Sequence, residues 1–189
     1  MLYWEKSLGE KMLYKTYYKS PLGNLLLISD EESLKVLEIE NSRFYNNYET
    51  NEILENGNLE ILNKTKVWLD KYFNGQKPSI KDIPLNPEGS KFRQMVWKIL
   101  CEIPYGETIT YGDIAKKINK KTGKKMGGQP VGGAVGHNPI AIIIPCHRVV
   151  GADGSLTGYG GGMHNKIKLL KLENANMKNL YDPSKKLSL

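Results

Sequence analysis

The chain is poor in the features that build secreted, membrane-spanning or metal-held proteins. Its 189 residues contain two cysteines, Cys101 and Cys146, too few for the disulfide framework of a small exported domain. Two cysteines and three histidines are also a thin supply for a structural zinc site, so no metal is expected. No apolar run approaches the ~20 residues of a membrane span, and the N-terminus lacks the apolar centre of a secretory signal. These gaps predict a cytoplasmic, reducing setting with no membrane partner, in which a thiol stays free.

Acidic residues are scarce in the second half. Residues 1–89 carry 11 basic and 14 acidic side chains, whereas residues 90–189 carry 16 and 6. A basic half suits a polyanionic partner, nucleic acid first. A lysine-rich solvated surface accounts for the same numbers, so charge alone decides nothing.

Residues 1–11 carry little pattern. Met12-Leu13-Tyr14-Lys15 resembles a second start, and 1–11 are read as an extension. Residues 12–77 predict a small α/β domain. Ser20-Pro21-Leu22-Gly23-Asn24 is a turn between β-rich segments. Leu25-Leu26-Leu27-Ile28 is a buried strand, and Leu34–Ile39 is its partner. Helical spacing runs from Ile53 to Phe73, with Ile61, Thr65, Trp68, Leu69 and Tyr72 on one face and Asn74-Gly75 as the stop. This half shows no catalytic constellation and is expected to buttress the other. Residues 78–89, with three prolines and no period, read as a linker. Residues 90–175 predict a helical domain. Ser90 caps Phe92–Cys101, Thr110 caps Tyr111–Ile118, a lysine-rich loop follows, and a third helix runs from Gln129 to Gly136. Two short helices in a basic domain suggest a helix-turn-helix. A last helix spans Met163–Glu173, and residues 176–189 form a polar, frayed tail.

The chain is organised around Ile142-Ile143-Ile144-Pro145-Cys146-His147-Arg148-Val149-Val150. The β-branched run predicts a buried strand that Pro145 ends, since proline has no N–H for a ladder. A cysteine and a histidine follow directly. A sheltered thiol is a poor nucleophile until a base takes its proton, and an oriented imidazole is the usual base. A cysteine among apolar residues is more often inert core. Cys101, late in an amphipathic helix, is read that way.

The wider string resembles one family. Asn138-Pro139, an apolar run, Pro-Cys-His-Arg-Val and the glycine-rich Gly158-Tyr159-Gly160-Gly161-Gly162 are similar to the O6-alkylguanine-DNA alkyltransferases, also called methylated-DNA–protein-cysteine methyltransferases. The likeness is strong from about Phe92 to Glu173 and weak over Tyr14–Phe73. It implies an α+β fold: an N-terminal ribonuclease H-like domain, then a winged helix-turn-helix-like domain carrying the cysteine. It also implies DNA repair by direct reversal. An alkyl group passes irreversibly from guanine O6 to Cys146, and the protein is consumed as a stoichiometric acceptor, without a cofactor.

The resemblance also distributes roles. His147 is the base, acting through a water; Glu173 orients it; Asn138 links the recognition helix to the active site; Arg148 is scaffolding. Tyr111 assists nucleotide rotation, the Val149 carbonyl accepts from the guanine amino group, and Tyr159 and Gly160 wall the pocket. A glycine at 160 leaves room for bulkier alkyl groups or O4-alkylthymine. The partner is double-stranded DNA containing O6-alkylguanine, entered from the minor groove by a monomer that flips the base out. Gly127, Gly128, Gly132, Gly133 and Ala134 make the third helix small enough to approach a DNA backbone, with close packing on a neighbouring helix as the alternative. Lys120, Lys121, Lys124 and Lys125 are available for phosphates. Many members place an arginine where this chain has Gln129, followed by Pro130; glutamine lacks the charge and the stacking guanidinium. A helix-turn-helix regulator with a sensing cysteine, and a Cys-His-Glu hydrolase, are the competing readings.

Overall fold

A computed structural model describes residues 12–48 and 52–187. The proposed extension, residues 1–11, lies outside the described residues. The N-terminal half is built on three antiparallel strands and one short parallel one: β1 (Tyr14–Ser20), β2 (Gly23–Ser29), β3 (Leu34–Ile39) and β4 (Leu54–Glu55), in the order β3-β2-β1-β4. The Leu25–Ile28 run does not alternate in polarity because β2 is covered on both faces. Leu25 and Leu27 join Leu37 and Ile39 against helix α1 (Glu60–Phe73). Leu26, Ile28 and Val36 face Tyr45, Tyr48 and Ile53 on the other side.

Helix α1 starts at Glu60, about two turns later than the spacing from Ile53 predicts; Leu54–Glu55 are instead paired in parallel with Tyr14 and Lys15. The five residues expected to face inward are all buried. Residues 78–89 are not a free linker. Trp68 Nε1 donates to the Ser79 carbonyl at 2.8 Å, and Leu34 exchanges backbone hydrogen bonds with Pro84 and Asn86, both at 2.9 Å. Farther along β3, Leu37 exchanges bonds with Pro139 (2.9 Å) and Ala141 (2.8 Å). The outer edge of β3, which would otherwise present unpaired backbone groups, is thus covered by two later segments. One hydrophobic core runs from Leu25 through Trp97 and Ile144 to Leu169.

The C-terminal half comprises α2 (Lys91–Leu100), β5 (Ile109–Thr110), α3 (Tyr111–Thr122), α4 (Gly128–Val135), β6 (Val149–Val150) and α5 (Met163–Leu172). Ser90 caps α2 by accepting from the Arg93 N–H, and Thr110 caps α3 by accepting from the Asp113 N–H. Helix α3 runs a turn past Ile118 and stops at Gly123, whose φ of 71° closes a left-handed cap. The tail is not frayed as expected. Leu156 donates to the Tyr181 carbonyl, Tyr181 donates to the Gly154 carbonyl, and Met177 and Leu180 pack against Leu156 and Leu170. Hydrophobic residues at 177 and 180 inside a polar stretch are what dock it.

Glu38 on β3 is buried among the apolar residues of its sheet face and accepts from the Ser42 hydroxyl at 2.6 Å. Burial pushes its carboxyl up to about 7, against the hydrogen bond from Ser42. Between about 4.5 and 7 the native state therefore holds a proton the unfolded chain has lost, so this group's contribution is fully present below 4.5 and falls as pH rises to 7. Glu38→Gln keeps the acceptor and removes the titration. Urea denaturation should find the variant about 1–3 kcal/mol more stable than wild type at pH 8 and nearly equal at pH 4.5. An equal difference at both pH values would contradict the assignment.

Candidate active site

Ile142–Ile144 form a buried tight turn where the sequence predicts a strand. Ile142 has φ of 68°, a left-handed conformation strained for a β-branched residue. The Ile143 N–H donates to the Ala141 carbonyl at 2.7 Å, and the Ile144 N–H donates to Ile140 at 3.1 Å. The Asn138 side chain supplies the missing partners. Its Oδ1 accepts from the Ile140 N–H at 3.1 Å, and its Nδ2 donates to the carbonyls of Ile144 (2.8 Å) and Ile140 (3.2 Å).

The same Nδ2 lies 3.1 Å from Cys146 Sγ. Cys146 begins a single 3-10 turn, Cys146–Arg148, that leads into β6. It is 8% exposed, at the edge of the core. Burial pushes its thiol up to about 11, against the Asn138 hydrogen bond and the Lys166 charge. The resting sulfur is therefore a neutral thiol and needs a base.

His147 is fully buried, and its Nε2 lies 2.9 Å from Glu173 Oε1. Burial lowers the imidazole's proton affinity, although Glu173 opposes it. Burial alone would raise Glu173; hydrogen bonds from His147 and Arg148 reverse this and hold it well below the usual carboxylate range. Glu173 is thus ionised and its ion-pair partner is Arg148, whose Nε donates to Oε2 and Nη2 to Oε1, each at 2.8 Å. His147 is neutral and donates Nε2–H. Its Nδ1 is buried without a hydrogen-bond partner among the described residues, so it carries the free lone pair.

Two further donors complete the Glu173 carboxylate. Tyr72, from α1, donates to Oε1 at 2.6 Å, and the Gly106 N–H donates to Oε2 at 3.1 Å. Gly106 must be glycine: its φ is 79°, and a Cβ there would sit 2.6 Å from the Glu173 carbonyl oxygen. Arg148 also donates to the Ile103 carbonyl at 2.6 Å, and its guanidinium lies over the Tyr105 ring at 5.7 Å.

Tyr111 is half-buried at the start of α3, with its hydroxyl on the Thr157 carbonyl at 3.0 Å. Gly158, with φ of 75°, lets the loop pass this hydroxyl; a Cβ would approach it to 2.6 Å. The Val149 carbonyl accepts from Lys166 Nζ at 2.6 Å, and the same ammonium donates to Thr157 at 2.9 Å. Lys166 is fully buried, and burial lowers it to about 8. The Tyr159 ring stands edge-on to His147 at 6.4 Å, and its hydroxyl is buried without a hydrogen-bond partner among the described residues. Gly160 is exposed, and its carbonyl accepts from the Arg43 N–H at 3.2 Å.

Cys146, His147, Glu173, Asn138, Tyr111, Val149 and Tyr159 are thereby joined through contacts at one centre. The candidate DNA residues lie apart from it, on a surface. Lys124 and Lys125 are exposed on the loop between α3 and α4, which Asn119 clamps through Met126, and Gln129 is exposed in the first turn of α4. The glycines of α4 divide. A Cβ on Gly128 would crowd Tyr111 at 3.2 Å, so this glycine serves helix packing, whereas one on Gly132 would make ordinary contact with the Tyr111 ring at 3.8 Å and Gly133 faces open space. Sequence reasoning missed Tyr72 and Lys166. A lysine at helical spacing from Met163, Leu169 and Leu170 is a usable signal for Lys166; nothing local marks Tyr72.

Residues 13–87 match the ribonuclease-like domain of 6-O-methylguanine DNA methyltransferase, and residues 91–175 match its DNA binding domain. A methylated-DNA–protein-cysteine methyltransferase of Haemophilus influenzae is 45% identical over 161 residues, covering 85% of this chain and 86% of the relative. One from Methanosarcina acetivorans is 44% identical over 163 residues, covering 85% and 98%. The crystal structure of Mycobacterium tuberculosis OGT in complex with DNA superposes with a TM-score of 0.75 at 39% identity, covering 85% of this chain and 92% of that one.

Arg148→Met should leave Glu173 short of its charge partner and cost about 3–5 kcal/mol of stability in chemical denaturation. A loss below about 1 kcal/mol would show that the pair contributes little.

Proposed function

The chain belongs to the 6-O-methylguanine DNA methyltransferase family, and from that premise we propose that it repairs DNA by one irreversible alkyl transfer from guanine O6 to Cys146 Sγ. The observation that carries the reading is the buried thiol beside a neutral imidazole whose far nitrogen is held by an ionised glutamate.

The chemistry then follows from the geometry. His147 Nδ1 takes the Cys146 proton, through one water, as the sulfur attacks the alkyl carbon. The carbon–O6 bond breaks, its electron pair stays with guanine, and the base regains a proton from the imidazolium. Glu173 stabilises that imidazolium without itself becoming protonated. The products are guanine and a thioether. Among the described residues no group in the site is placed to cleave the thioether, so each protein acts once.

A guanine inside a duplex cannot reach a sulfur buried to this degree, so the base must be flipped out, at a cost of roughly a few kcal/mol. Helices α3 and α4 form the helix-turn-helix that meets the minor groove, with Lys124 and Lys125 on phosphates and the open Gly133 surface against the backbone. Gln129, exposed in the first turn of α4, stands where an arginine would fill the gap left by the base; it is a weaker wedge. Tyr111 and the Val149 carbonyl receive the flipped guanine. That carbonyl has two lone pairs, so Lys166 and the guanine amino group can share it. The Gly160 backbone closes the O6 side.

Intact-protein mass spectrometry after incubation with an O6-methylguanine oligonucleotide should show a single gain of about 14 Da, one CH2, mapped to Cys146 and absent in Cys146→Ser. No gain with DNA binding retained would favour a sensor or damage-binding role. Replacing Lys124 and Lys125 by alanine should reduce the log–log salt slope of DNA binding by about 2. An unchanged slope would move the phosphate contacts elsewhere.

A further inference from the structure

Helix α1 belongs to the N-terminal half, yet its last turn reaches the charged centre of the other half. Tyr72 is 1% exposed, and its ring is fixed by stacking on Trp68 at 5.3 Å and edge contacts with Phe73 at 5.4 Å and Tyr105 at 6.0 Å. That packing aims the hydroxyl at Glu173 Oε1, 2.6 Å away and 101 residues distant in sequence. Oε1 also accepts from His147 Nε2 and Arg148 Nη2. A carboxylate oxygen offers about two lone-pair sites, so three donors compete for one oxygen.

We propose that Tyr72 is a positioning residue for the alkyl transfer: by donating to the oxygen that holds His147, it draws off charge that would otherwise retain a proton on the imidazole, and so keeps His147 free to accept one. The proposal rests on the assignment of His147 as the base and adds a contribution from the N-terminal half. A hydrogen bond to the charged form of an acid stabilises that form. Here the stabilised form is the Glu173 carboxylate, and the bond weakens what the carboxylate can offer its other partners. Tyr72 stays a donor throughout, because burial and the Glu173 charge hold its hydroxyl well above the ordinary tyrosine range. The other groups facing His147 are Arg148 in the same turn, Cys146 before it, Lys166 from α5 and the Tyr159 ring from the loop preceding α5. From the N-terminal half, Tyr72 acts on His147 through Glu173, and Glu38 of β3 acts on the neighbouring Cys146 and Tyr159.

The test is the titration of the His147 ring, followed by NMR in the full chain before any alkylation, for wild type, Tyr72→Phe and Tyr105→Phe. Tyr72→Phe keeps the ring and its packing. Its His147 midpoint should rise by about half a pH unit or more. The pH profile of single-turnover transfer should move up by the same amount, with the rate above the midpoint within about twofold of wild type. Tyr105→Phe removes a hydroxyl from the same aromatic cluster, but one that donates to the Leu172 carbonyl, and should leave the midpoint in place. Incorporating 3-fluorotyrosine at position 72 makes a stronger donor without a cavity and should lower the midpoint. A His147 midpoint unmoved in both Tyr72 proteins would overturn the proposal, even if Tyr72→Phe melted earlier. Were wild type to transfer no alkyl group, the titration would still read the coupling, so the two failures are separable.

Discussion

A buried carboxylate is the constraint around which this molecule is arranged. Removing Glu173 from water costs several kcal/mol unless its oxygens are fully satisfied. Five hydrogen bonds do that, from Tyr72, Gly106, His147 and, twice, Arg148. The donors join three segments: the last turn of α1, the thiol-bearing turn, and the turn after α2, which Gly106 supplies and which Arg148 also ties through the Ile103 carbonyl. The same charge that makes the assembly necessary makes it functional. Arg148 neutralises the carboxylate, so His147 can remain uncharged in an interior that would not tolerate a free imidazolium.

Much of this could be read from the residues. The strands Leu25–Ile28 and Leu34–Ile39, the caps at Ser90 and Thr110 and the inward face of α1 follow from local rules of pattern and capping, which act within a few residues. Cys146 and His147 stood out because Pro-Cys-His-Arg-Val is a rare string. Glu173 was named from resemblance alone; at the end of an amphipathic helix it reads as a solvated residue, and its burial becomes visible only when Arg148 and Gly106 are in place.

The errors share one cause, which is pairing at long range. Ile142–Ile144 have strand propensity but turn, because the preceding Pro139 and Ala141 pair with β3 and Asn138 takes the Ile144 carbonyl. Residues 78–89 look like linker and are held by Leu34; residues 174–182 look frayed and are held by Gly154 and Leu156. In each case a distant partner decides the state, and no window of sequence contains both partners. Tyr72 is the extreme instance, since a buried tyrosine on an apolar helix face announces nothing about where its hydroxyl points.

The separation between Tyr72 and Glu173 has a consequence for biosynthesis. Contacts distant in sequence form late, because the intervening loop must close first. The N-terminal half leaves the ribosome with Tyr72 already in place but nothing for it to bind. Cys146 and His147 follow, and the carboxylate comes later still. A nascent chain stalled before residue 173 therefore carries a thiol and an imidazole with no anion to orient them. The charge that orients His147 is therefore the last part of this centre to be synthesised.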